Sequence, residues 1–494
     1  RQALVANTTA VENVAVGYAT LAANTTGTLN VALGSRALDA NSTGSANTAV
    51  GYNALGACTT DGNTAVGKDA LELCTTGVNT AVGGNALAAV TTGTGNTAMG
   101  QDALTVNTAS NNTGIGKSAL AANTTGAANV AVGGNALQAN TTAAENTVMG
   151  YAAMYTNTTG GANTAVGTDA LYSNTTGDYN VAVGKGALDA NTTADNNTAI
   201  GLAALGANTT GAGNTAMGSG ALDANTTGGD SVAIGLDALT ANTEASNNVA
   251  VGSGALAANT TGTGNIAMGR NALIANTTGN YNTAIGHGAG AAVTTGAQNT
   301  LVGMQAGDAI TTGSNNVIMG ISCDVGSGGV GNAMVMGDSV TGVGGNNFTF
   351  GNGTLDTNIE MGTTTISTPS DVRLKEDIQD EEVGLDFIND LRPVTFLWKK
   401  EKDIPSDLRA YKEDSETRTM NGKYNHGFIA QEVKEVIDNH DLKEGFSMWT
   451  EDEVDGRQRI GESALMSVMV KAVQELSAEI EELKTQPKCK CNEE

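Results

Sequence analysis

Aromatic residues make up only 3% of this 494-residue chain, with two Trp and six Phe. An interior built on large rings, as in most enzymes, is therefore excluded for most of its length. Proline is nearly absent, and all four (Pro369, Pro393, Pro405 and Pro487) lie beyond residue 368. Collagen and proline-rich linkers go with it. Basic charge is scarce, 24 Lys+Arg against 50 Asp+Glu, for a net of −26. Such a surface repels phosphate backbones and anionic bilayers, so no nucleic-acid partner is expected. No apolar run of about 18 residues occurs, so no membrane insertion as a helix is expected. The five cysteines are odd in number and have no framework spacing. Cys489-Lys490-Cys491 reads as a solvated, frayed terminus rather than a metal or redox pair, and neither a cofactor nor a metal site is expected.

What is present divides into two kinds of chain. Residues 1–369 carry 20 acidic and 6 basic residues; residues 370–494 carry 30 and 18. The first stretch is a weakly charged Gly/Ala/Thr/Asn body and the second a compact, highly charged tail. The chain opens at Arg1 already inside a repeat, so it reads as part of a longer protein and says nothing of a signal peptide.

The body repeats N-T-A-V-G-x-x-A-L-x-A-N-T-T-G-x-x. Nineteen copies start between Asn13 and Asn316, with Ser231 once replacing Asn; the spacing is 16 or 17, and strictly 17 from Asn112 onward. Degenerate copies follow at Val330–Gly337 and Asn347–Gly351. By the two-residue strand period, the pentad turns Thr and Val to one side and Asn, Ala and Gly to the other. Neither side is charged, so both can be buried, with residues such as Val166 and Val183 taken as strand centres. The following Ala-Leu adds one Leu per coil. N-T-T-G supplies the turn: Asn for a local hydrogen bond and Gly for a positive φ. Units this small must stack to bury anything. The expected fold is mainly β, a parallel β-solenoid or β-roll of 16–17-residue repeats. Nineteen coils at about 4.8 Å give a rod on the order of 90 Å long. Its thin interior favours several chains around one axis, a trimer being the usual number. The repeat resembles the head repeats of YadA-type trimeric adhesins and, more closely, the N-T-A-x-G-x-x-A-L repeats of phage tail-fibre proteins. That resemblance implies left-handed parallel rolls joined as a homotrimer.

Three other readings of the repeat are weaker. Asn-Thr-Thr matches a glycosylation sequon but is also what a repeated turn requires. A threonine array could bind ice, yet strand positions such as Val130, Val181 and Val249 interrupt it. The scattered Asp69, Asp102, Asp169 and Asp237 are too irregular for calcium-binding nonapeptides.

The tail carries the chemistry. Ser370-Asp371-Val372-Arg373-Leu374-Lys375 opens it, Leu391-Arg392-Pro393-Val394-Thr395-Phe396 follows, and Gly427-Phe428-Ile429-Ala430-Gln431-Glu432-Val433 enters a helix. These motifs, in this order, resemble the C-terminal intramolecular chaperone of phage tail spikes and fibres, the endosialidase-type auto-processing domain of a Ser/Lys peptidase family. The resemblance implies a domain that registers three fibre chains and then cuts itself off at Pro369–Ser370. Ser370 would be the nucleophile and Lys375 the base, with Asp371 and Arg373 orienting the loop or pairing across chains. A Lys can take a Ser proton only if desolvation lowers its pKa toward ~7–8. Five positions apart, the two side chains diverge on a strand or a helix. They meet only if the chain turns between them or if the Lys serves a neighbouring chain. His426 and His440, with no Ser or carboxylate at suggestive spacing, read as structural. Met466, Met469, Val473, Leu476, Ile480 and Leu483 step by three and four, an a/d seam for a short trimeric coiled coil.

The expected organisation is a shaft at 1–320, degenerate repeats or a neck at 321–369, a small α+β chaperone domain at 370–461, and a coiled-coil helix with a frayed tail at 462–494. The expected function is a virion tail fibre for host attachment, made in the host cytoplasm. Its partners would be a cell-surface glycan or protein receptor and other tail components. Any enzymatic activity would be single-turnover self-cleavage. The alternatives are a bacterial cell-surface trimeric adhesin, which a C-terminal membrane β-barrel anchor would favour and which the sequence does not show, and an ice- or surface-binding solenoid.

Overall fold

A computed structural model describes residues 2–353, 356–362, 366–367, 372, 375–406, 408, 411–420, 422–442, 446, 448–451, 458–461 and 464–485. Its contacts fall into two units, Arg1–Pro369 and Ser370–Glu494.

The first unit is a parallel β-solenoid. Eighteen three-residue strands, β1 (Val14–Val16) to β18 (Thr300–Val302), each lie in register on the same strand of the next coil. Thr164 faces Val181, Ala165 faces Ala182 and Val166 faces Val183. The middle Ala is fully buried, while Thr and Val on either side of it are half-exposed. Val166 and Val183 thus stand at the ends of their strands rather than at the centres. They form an outward face, because the interior is only wide enough for Ala and one Leu, such as Ala165, Ala170 and Leu171.

Each Leu turns the corner in the left-handed region: Leu171 has φ 53° and Asp169, two residues earlier, 57°. For a Leu this costs about 1–2 kcal/mol, offset by full burial and by its N–H donating to Ala187 O of the next coil at 2.9 Å. The last two regular coils put glycine at this corner, Gly290 and Gly307. Val293 and Ile310, standing where the turn Asn otherwise stands, fill the interior instead.

Positive φ falls on the glycine after the strand, not on the glycine of N-T-T-G. Gly167 has φ 136°, and a Cβ there would lie 2.5 Å from Gly184 O. Gly177, in the turn, has no positive φ, and Ala143, Ala194 and Ala245 occupy the same position in other coils. The turn needs a small residue because the next coil passes close by. The pattern that suggested a left-handed turn reflects steric clearance.

Two columns of fully buried asparagine run through the coils. The turn Asn donates both to a carbonyl three residues on and to the equivalent Asn of the preceding coil. For Asn174 these are Gly177 O at 3.0 Å and Asn157 Oδ1 at 2.9 Å. Ten consecutive rungs from Asn107 to Asn276 repeat the second bond at 2.7–3.1 Å. The Asn heading each pentad forms the other column. Asn163 Oδ1 accepts from Asn180 N–H at 2.8 Å, and Asn180 Nδ2 donates to Ala194 O at 2.8 Å. Ser231 keeps this column continuous by accepting from Asn248 N–H at 3.2 Å. The turn column breaks at Cys58, Cys74 and Val90, where two buried free thiols occupy neighbouring rungs. Their mutual hydrogen bond, with burial acting against it, brings the Cys58 thiol down to about 7. The column ends at Asn276, whose Oδ1 is the one buried side-chain polar atom without a partner among the described residues, since Val293 follows it. Outside these columns, the second Thr of most turns, from Thr26 to Thr312, stands exposed.

The degenerate repeats continue the coil. β19 (Val317–Ile321), β21 (Met334–Asp338) and β23 (Asn347–Gly351) pair in parallel, with β20 (Asp324–Val325) and β22 (Thr341–Gly342) beside them. Then β24 (Asp356–Glu360) and β25 (Ile366–Ser367) run antiparallel and close off the parallel stack.

The second unit is a small α+β assembly: α1 (Leu385–Asp390), β26 (Val394–Phe396), β27 (Asn425–Gly427), α2 (Ala430–Asn439), β28 (Trp449–Glu451), β29 (Gln458–Ile460) and α3 (Leu465–Thr485). Phe387, Val433, Ile437, Met448, Leu465 and Val468 form its core.

The ladder makes a quantitative demand. Asn174→Val removes the donor to Asn157 and the acceptor from Asn191, so it breaks two rungs and should lower the shaft's stability by about 1–3 kcal/mol. Asn276→Val sits where the acceptor is already unpaired, next to Val293, and should cost clearly less. Unfolding midpoints followed by circular dichroism compare the two; equal losses would contradict the ladder's role.

Candidate functional site

Of the residues the sequence assigns to chemistry, Pro369, Ser370, Asp371 and Arg373 lie outside the described residues, as do Cys489 and Cys491. Lys375 is described and exposed. Its N–H donates to Val372 O at 3.2 Å.

The two downstream motifs do come together. Val394, Thr395 and Phe396 of β26 pair antiparallel with Gly427, His426 and Asn425 of β27. The strands and the first turn of α3 border a groove of about 660 Å³, lined on its apolar side by Pro393, Phe428, Leu465, Met466 and Met469. His426 lies on its rim.

The helices are clamped by polar contacts that join distant parts of the sequence. Leu385 N–H, at the start of α1, donates to Glu475 Oε2 of α3 at 2.7 Å. Arg392 forms a two-pronged ion pair with Glu432 of α2, its Nε at 2.9 Å. His440, capping α2, contacts Asp390 Oδ2 at 2.8 Å and packs edge-on against Phe387 at 5.4 Å. Its carboxylate partner lies 50 residues away in sequence. Lys434 lies 5.1 Å from the Trp449 ring centre and pairs with Asp438 at 2.9 Å. No sequence spacing signals Glu475 or Asp390; only the tertiary fold brings them into place.

The helix α3 has two apolar faces. Leu465, Val468 and Ala472 are buried in the core. Met466, Met469, Val473, Leu476, Ile480 and Leu483, the a/d seam, are 44–67% exposed, and Val470 beside them is 52% exposed. The seam is therefore not packed within its own chain.

Among the described residues, no helix is long and apolar enough to cross a membrane, and no group of three or more His, Cys, Asp or Glu is placed to hold a metal ion. Residues 370–442 match the family described as chaperone of endosialidase. The match starts at Ser370 and covers α1, β26, β27 and α2. No curated protein and no solved structure matches the chain. The C-terminal unit is thus built on a domain of the endosialidase-chaperone type, carried behind a β-solenoid.

The segment between β26 and β27 has its own electrostatic staple. Lys400 and Lys402 both ion-pair with Glu416, and Thr419 N–H donates to Lys399 O at 3.0 Å. The two ammonium hydrogen bonds hold the Glu416 carboxyl at about 2, below its ordinary 4.5. Because the folded value is depressed, the contact is complete above pH 4.5 and is lost only as pH falls through about 2. A carboxyl ¹³C titration should find that low midpoint in the wild type, and one near 4.5 when Lys400 and Lys402 are both replaced by Ala.

Proposed function

We propose that this chain is a homotrimeric virion tail fibre for host attachment, whose C-terminal domain drives trimerisation and then cuts the Pro369–Ser370 bond. The observation that carries the reading is the unpartnered seam on α3, directly after a domain of the endosialidase-chaperone type. Six apolar side chains at heptad spacing, each about half-exposed, have no role in a lone chain. Burying them between three helices is worth on the order of 1 kcal/mol each, enough to bias assembly but too short a seam to stand without the adjoining core. The outward Thr/Val face of the shaft gives the same three chains a second surface to share.

The chemistry follows from residue types. Ser370 is inert until a base takes its proton, and Lys375 becomes that base only when assembly removes its water. The pair would form within one chain if the chain turns between the two residues, or across chains if an assembled trimer brings in the Lys of a neighbour. Cleavage gated in this way reports that three chains have registered correctly. The fibre would then attach to a glycan or protein on the host surface. A second reading, an ice- or surface-binding solenoid, draws on the exposed threonine column, and a thermal-hysteresis assay separates it from the attachment fibre.

Wild-type protein should yield a fragment whose N-terminus is Ser370, read by mass spectrometry. Ser370→Ala and Lys375→Ala should each leave full-length trimers. Lys375→Arg should also fail to cut, since a guanidinium is no base near neutral pH. A cleaved Ser370→Ala protein would remove the mechanism. Mixed Ser370→Ala and Lys375→Ala chains should regain some cleavage only if the Lys acts across chains.

Assembly is tested separately. Leu476→Glu with Ile480→Glu should give monomers by sedimentation, with the C-terminal core intact. Val166→Asp with Val183→Asp should leave each coil folded and weaken association of the shaft, whereas Ala165→Asp should unfold the coil through a buried unpaired charge. Trimers of normal stability from the seam double variant would contradict the reading.

A further inference from the structure

In a chain with so few aromatics, four of the nine Tyr fall between Tyr151 and Tyr179. Tyr155 and Tyr172 occupy equivalent positions one coil apart and stack with ring centroids 5.3 Å apart and planes 5° from parallel. Asp189 takes the same position in the next coil. The backbone holds this column rigidly: Thr156 N–H donates to Tyr172 O at 3.1 Å, and Ser173 N–H to Asp189 O at 2.9 Å. Beside it run Tyr151, 60% exposed, and Asp169, whose N–H donates to Tyr151 O at 3.1 Å. Together with Asn135 these side chains line a surface cleft of about 500 Å³. The cleft contains two carboxylates and no basic residue. Burial, and then the neighbouring Asp169 charge, push the Asp189 carboxyl upward.

We propose that this cleft binds an amino sugar, with its pyranose carbons against the tyrosine rings and its ammonium group between Asp169 and Asp189. The assignment deepens the host-glycan reading given above and rests on it. Three physical arguments select the class. A stack of rings offers flat apolar area for a rigid ring skeleton, and an exposed Tyr face attracts a cation within about 6 Å. A neutral sugar would take two like charges further from water with nothing to neutralise them, whereas an ammonium pairs with both. Sialylated or sulfated sugars are repelled outright. A lysine side chain carries the same charge, but on a stem with about 2 kcal/mol of rotamer freedom to lose, and it leaves most of the ring area uncovered. No other segment of the shaft combines adjacent stacked rings with paired carboxylates among the described residues.

The test uses the full chain, blocked from cleavage by Ser370→Ala, and two probes: a glucosamine tetramer and its fully N-acetylated counterpart. Calorimetry and saturation-transfer NMR should show the glucosamine tetramer binding at least about tenfold more tightly, with contact to tyrosine protons. Asp169→Asn with Asp189→Asn should lower its affinity about tenfold, and so should Tyr155→Ala with Tyr172→Ala. Tyr155→Phe with Tyr172→Phe keeps the ring faces and should keep binding. Asp223→Asn with Asp237→Asn removes the same charge elsewhere on the shaft and should change little. Equal loss in that control would reduce the effect to the overall charge and overturn the site. Equal binding of the acetylated tetramer, or tighter binding of a lysine tetrapeptide, would overturn the ligand class. Absence of binding by the glucosamine tetramer would overturn the site itself. If fibre adsorption to cells persisted in that case, the attachment reading would stand alone.

Discussion

Every coil of the shaft depends on a carboxamide being hydrogen-bonded inside a space too narrow for a hydrophobic core. An unpaired buried amide costs about 1–3 kcal/mol, and most coils carry two asparagines at essentially zero exposure. The cost is avoided because each side chain finds its counterpart one coil away. A rung is satisfied only when the next rung exists, so the columns make the stack cooperative in a way that Ala and one Leu per coil could not. They also fix the register: a coil displaced by one residue would strand both columns at once. Small residues at the turn and after the strand are a consequence of this spacing, since the amides reach each other only if the backbones approach closely.

The C-terminal unit is held by the opposite kind of physics. Phe387, Val433, Ile437 and Met448 supply a conventional apolar core, and Glu475, Arg392 and His440 clamp its helices from outside. Its features are non-repeating and join residues far apart in the chain. That difference suits a folding device. A solenoid can start pairing at any coil and so has many near-equivalent registers, whereas a unique tertiary surface has one.

Much of the shaft was legible because its information is periodic. Recurrence of N-T-A-V-G set the strand position, the parallel pairing and the one Leu per coil. The buried role of the asparagines was also written there, in two columns recurring every 16 or 17 residues, but a single copy of N-T-T-G looks like an ordinary turn and was read as one. The positive φ was assigned to the wrong glycine for the same reason: turn chemistry is local, whereas the clearance required by the next coil is not. Val166 and Val183 lie on the face that points away from the coil interior, because a face without charge need not line the inside of its own chain. In the tail, the helix entered after Gly427-Phe428-Ile429 and the a/d seam with its three-and-four steps were legible. Glu475 at the start of α1 and Asp390 beside His440 left no trace in spacing, since their partners lie 90 and 50 residues away.

Identical rungs also make length a free variable. From Asn112 to Asn316 the spacing is strictly 17 residues, so removing one whole unit rejoins two surfaces that already fit. Each such event would shorten the rod by one coil, about 4.8 Å, without a new contact to optimise. Near-identical repeats that recombined with one another would thus give a product the fold can accommodate. The reach of the shaft can therefore change in discrete steps by genetic slippage, while the columns of Asn survive every step.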